Sequence, residues 1–62
     1  MRMRSFHILV SDDRYSVPNL RLIQAWDETA AREIADRVLA ESGHHTGVEV
    51  WENDQQLFAL SA

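Results

Sequence analysis

The 62-residue sequence predicts an α+β domain with the element order ββαββ. The expected form is a four-stranded, mainly antiparallel sheet of order 2-1-3-4 with one helix packed on one face. Three observations predict it. Apolar residues alternate with a period of two near the N-terminus and again after Gly47. One central stretch repeats apolar residues at helical spacing between a capping residue and a glycine. A helix between the second and third strands makes those two run in the same direction, so placing the first strand between them makes every neighbouring pair antiparallel.

The first strand is expected from about Arg4 to Val10. There Phe6, Ile8 and Val10 alternate with Ser5, His7 and Leu9. Ser11-Asp12-Asp13-Arg14 breaks the run with turn-forming residues. Pro18 lacks a backbone donor and marks a loop or a strand start. A second strand follows from about Asn19 to Ala25, and its phase stays open. The inward set is either Leu20/Leu22 or Arg21/Ile23/Ala25, and the second choice needs Arg21 at a rim.

Asp27 suits a helix N-cap, because its carboxylate accepts from the free amides of the first turn. Trp26 before it is placed to staple onto Ala31. Ala30, Ala31, Ile34, Ala35, Val38 and Leu39 recur on one stripe. Three alanines on that stripe let the axis lie close to a sheet. Glu28–Arg32 and Glu33–Arg37 have the favourable acid-first i,i+4 order. Gly43 is expected to supply a left-handed residue that ends the helix.

Val48-Glu49-Val50-Trp51 reads as a third strand, Asn53-Asp54 as a turn, and Gln56 to Leu60 as a fourth strand. A two-residue loop would pair Val50 with Leu57. A three-residue loop would pair Val50 with Phe58 and Trp51 with Leu57, and it is preferred because it groups the large residues by face.

Length limits the chain to a single domain, residues 1–62, with little core to spare. Cysteine is absent, which excludes disulfides and thiolate zinc sites within the sequence. Small folds without such staples rely on an efficient core or on self-association. No apolar run approaches the ~18–20 residues of a membrane span. Phe6 to Val10 is too short for a signal segment, so the expectation is an unprocessed cytoplasmic protein. Net charge is −4, and all six basic residues are arginine. Four of them lie in residues 1–26 with only two acids, whereas residues 27–62 hold two arginines and eight acids. A solvated helix face and hairpin explain that asymmetry without a partner.

Candidate chemistry is sparse. His7, His44 and His45 would need to converge with an acid to hold a metal; adjacent His44 and His45 point apart in an extended segment. No serine or threonine sits in a nucleophile-elbow pattern, and two glycines are too few for a phosphate-cradling loop. Neither an enzyme, a cofactor nor a metal is therefore expected.

Ala25, the helix from Asp27 through Ala31 and Ala35, and the segment Val48-Glu49-Val50-Trp51-Glu52 with its polar turn resemble a group of small bacterial proteins of about this length that share a strand–helix–hairpin plan. The likeness covers most of the chain after residue 20. It implies a fold and a bacterial origin, and brings no activity with it.

One helix shields one side of the strands, so the other side is expected to display apolar groups. The sequence points to a non-enzymatic protein-interaction module that forms a homo-oligomer, most simply a homodimer, or takes a protein partner. Its contact residues are expected to be His7, Leu9, Ile23, Trp51 and Leu57. The alternative is an accessory nucleic-acid binder using Arg2, Arg4, Arg14 and Arg21 beside Phe6, Tyr15 and Trp26.

Overall fold

The computed structural model describes residues 2–62. Along them run β1 (Arg4–Asp12), β2 (Asn19–Ala25), α1 (Glu28–Ala40), β3 (His45–Glu52) and β4 (Gln55–Ser61). The strands form one sheet of order β2-β1-β3-β4, with each neighbouring pair antiparallel. The expected architecture is therefore the observed one. No helix among the described residues is long and apolar enough to cross a membrane.

Alternation along β1 sends Phe6, Ile8 and Val10 to one side, where they are fully covered. Val48 and Val50 of β3 and Ala25 of β2 join them beneath Ala31, Ala35 and Val38 of α1. Each large side chain taken out of water here contributes about 1.5–3 kcal/mol. Ala31 and Ala35 are completely buried, so the helix backbone approaches the sheet with no long side chain between.

The register of β2 follows from that core. Phe6 pairs with Ile23 and Arg4 with Ala25, so Ile23 and Ala25 face the helix. Arg21 shares this face, opposite Ile8, and sits at the rim with its guanidinium against Glu41 at 2.9 Å. Of the two phases the sequence allowed, the one with Arg21 at a rim is adopted. Ile23 thus packs into the core, and its expected place on the open face is corrected.

The β3–β4 connection combines features of both expected loops. Glu52 pairs with Gln55 across a two-residue turn, Asn53-Asp54. Asn53 takes a left-handed φ of 56°, a conformation that asparagine tolerates better than most residues. One extra residue then enters β4. Trp51 pairs with Gln56, while the preceding Val50 pairs with Phe58. Leu57 is the residue left over in this bulge. It packs against the helix-side core beside Phe58, so Leu57 too is removed from the expected contact face, and Trp51 faces Gln56 instead.

The helix termini show one expectation met and one corrected. Asp27 is the N-cap, accepting from the Ala30 amide at 2.8 Å. At the other end Gly43 has no positive φ. The helix stops because the Glu41 amide turns back onto the Val38 carbonyl at 3.2 Å, and the His45 ring holds the same oxygen at 2.6 Å. A side-chain donor has replaced the glycine device. Neither expected i,i+4 ion pair is among the contacts formed. Arg32 lies over the Phe58 ring, and Glu28 turns toward Arg4.

Candidate interaction surface

The pleat that buries Phe6, Ile8 and Val10 turns His7 and Leu9 to the opposite side. Strand pairing then lays two rows across this open face. One runs Leu22, His7, Trp51, Gln56; the other runs Leu20, Leu9, Glu49, Ala59. Leu20 is 59 % exposed and Leu22 is 68 % exposed, while His7, Leu9 and Trp51 are half-buried. His7, Leu9, Leu20 and Trp51 line a shallow groove of about 370 Å³ that ends at the Asn53-Asp54 turn. The Trp51 indole donates from Nε1 to Glu49 Oε1 at 3.0 Å, which satisfies its only polar group and ties it to its own strand.

Formal charge is segregated. Glu49 is the one formally charged residue in the two rows. The arginine–carboxylate pairs lie on the helix side or at the ends of the sheet. Arg4 donates through Nε to Glu52 at 2.8 Å and through Nη2 to the second Glu52 oxygen, with Glu28 3.9 Å away. This contact holds the Glu52 carboxyl below its ordinary range and pushes the Arg4 guanidinium up. Arg14 grips Asp12 through Nε at 3.1 Å, Nη2 at 2.7 Å and its backbone amide at 2.8 Å. These donors lower the Asp12 carboxyl to about 2, and the Arg14 guanidinium is raised in return.

Of the expected contact residues, the structure brings His7, Leu9 and Trp51 together and sends Ile23 and Leu57 to the other side. Leu20 and Leu22 take their places. The signal for them was the alternative phase of the second strand, which puts both leucines outward as soon as Ala25 is required beneath the helix. The four arginines considered for nucleic acid do not converge. Arg4 and Arg14 flank opposite ends of β1, roughly 25 Å apart by strand rise. Arg4, Arg14 and Arg21 each face a carboxylate. Arg2 precedes β1 and is exposed.

The histidines go three separate ways. His7 lies on the open face, His44 meets Asp13 at 2.9 Å, and His45 is buried against the helix end. Among the described residues no cluster of three metal-ligating side chains forms. Comparison with known proteins returns no match, either to a family model, to a characterised protein or to a solved structure.

Proposed function

We infer that this chain is a non-enzymatic protein-interaction module that self-associates through the helix-free face of its sheet. The observation that carries this reading is the composition of that face. Leu9, Leu20, Leu22 and Trp51 form a contiguous apolar patch, with Glu49 the one formally charged residue of its two rows and Asp54 at the turn that ends its groove. A patch of this kind is the usual mark of an interface.

The size of the face supports a second copy as the occupant. Four strands at ~4.8 Å spacing and about seven residues at ~3.3 Å rise give roughly 450 Å² of flat area. Two copies packed face to face cover on the order of 1,000 Å² once side-chain relief is added, the lower bound for specific association. The two sheets would stack about 10 Å apart, as in a sandwich.

Light scattering coupled to size exclusion, run across a concentration series, tests this directly. The expected result is a dimer whose Trp51 emission is blue-shifted and shielded from iodide in a Trp26→Phe background. A monomer at every concentration up to the millimolar range refutes it.

A further inference from the structure

On the helix side of the sheet, beyond the C-terminus of α1, the β1–β2 loop encloses a half-open cleft of about 580 Å³. That volume falls in the range of small-molecule sites. Asp12 and His45 contribute to its lining, with side chains only 8 % and 9 % exposed. Arg14, Tyr15, Asn19 and Arg21 line it as well.

The protonation pattern of His45 follows from its partners. Its Nδ1 lies 2.6 Å from the Val38 carbonyl oxygen, which can only accept. Nδ1 therefore carries the hydrogen, and in the neutral ring the lone pair is on Nε2. Among the described residues Nε2 makes no hydrogen bond, and it lies 3.9 Å from Asp12 Oδ2, another acceptor. No fully buried polar side-chain atom in the described residues lacks a partner, so this nitrogen keeps some accessible surface, and His45 is part of the cleft lining. Beside Nε2 lies a gap that a donor would fill, whereas Asp12 Oδ2 already accepts from Arg14 Nη2 at 2.7 Å.

The electrostatics select the kind of donor. Both guanidinium groups of the cleft are already matched, Arg14 by Asp12 and Arg21 by Glu41. An added anion would compete with those carboxylates, and an added cation would meet the two arginines. What remains for a ligand is neutral hydrogen bonding: an acceptor at His45 Nε2, unused guanidinium hydrogens, and the Asn19 amide. A hydroxyl group both donates and accepts, so a compound bearing several of them matches all three. Tyr15 stands 67 % exposed at the rim, held by Arg14 against one side of its ring at 5.4 Å. Its free side is an apolar platform for C–H groups.

We propose that this cleft binds a neutral, hydroxyl-rich small molecule of the saccharide class, with one hydroxyl donating to His45 Nε2. The site lies on the opposite side of the sheet from the interaction face and does not depend on self-association.

The test is a nuclear magnetic resonance titration of the full chain with glucose, galactose, mannose and maltose, each to about 50 mM, with sodium phosphate and acetate as charged controls. Imidazole 15N shifts of His45 are to show hydrogen on Nδ1 and none on Nε2. At least one sugar is expected to give saturable shifts at Asn19, Tyr15 and His45 Nε2. Asn19→Ala and Tyr15→Ala, both at exposed positions, are expected to weaken binding at least tenfold while leaving the melting temperature unchanged. Hydrogen resident on Nε2, saturation by phosphate or acetate alone, or no response to any sugar because the gap holds only water, overturns the proposal.

Discussion

Truncating Leu22 should separate the proposed dimer without harming the fold. The side chain leaves 68 % of its surface in water in the single chain, so little of it supports the monomer. Leu22→Ala removes three carbons, worth about 0.8 kcal/mol each when fully buried. Scaled to the two-thirds that self-association has left to cover, the loss is about 1.6 kcal/mol per copy. A two-fold contact uses the residue twice, so the dimer loses about 3 kcal/mol, on the order of a hundredfold in dissociation constant. Leu20→Ala at 59 % exposure should act similarly, and the pair together should give a monomer at micromolar concentration. Sedimentation equilibrium measures the constant, and urea unfolding of the monomeric form checks that stability changes by no more than about 0.5 kcal/mol. Should the double variant associate within threefold of the parent, the leucines lie outside the contact and the area reasoning fails.

Three further outcomes follow from the helix and its ties. Asp27→Ala removes the acceptor for the Ala30 amide and should cost about 1 kcal/mol, seen as a fall of roughly 4–8 °C in melting temperature; Asp27→Ser should restore most of it. Ala35→Leu forces a branched side chain between α1 and the sheet, where Ala35 has no exposed surface, and should destabilise by about 1–3 kcal/mol in chemical denaturation. Asp12 is held near 2 against an ordinary 3.8, so its contribution is present above about 4 and is lost as pH falls through 2. The urea midpoint should therefore drop across that window, and Arg14→Ala should flatten the part of the drop that belongs to Asp12.

The parts of the fold legible beforehand are those governed by a single period. Phe6-His7-Ile8-Leu9-Val10 could be assigned to two faces because each alternate residue is large and apolar. The helix was legible for the same reason, with Asp27 marking its start. What escaped depends on contacts between distant residues. The phase of β2 is decided by Ala25 lying beneath the helix and by Glu41 receiving Arg21, twenty positions away. The bulge at Leu57 arises from a two-residue turn meeting strands whose large residues match best one step out of register. The helix end was assigned to Gly43 because glycine is the common device, whereas His45 reaches back across seven residues to hold the Val38 carbonyl. Two of the five expected contact residues fell on the wrong side through these two strand effects.

The two proposed surfaces lie on opposite sides of one strand pair. Asn19 and Leu20 are neighbours in β2, yet the pleat sends Asn19 toward the cleft and Leu20 toward the open face. Between them β1 is paired on both sides, Arg14 of the loop grips Asp12 at its end, and His45 holds the end of the helix. A rigid element with a single arrangement transmits little, because coupling needs two states that each ligand can favour differently. Under both proposals, sugar affinity should accordingly be the same in the self-associated parent and in the Leu20→Ala/Leu22→Ala variant. A difference beyond about threefold would mean that packing the open face alters the twist of β1 and β2, and hence the spacing of His45 and Asn19. The sheet would then be a bistable element rather than a passive partition between two sites.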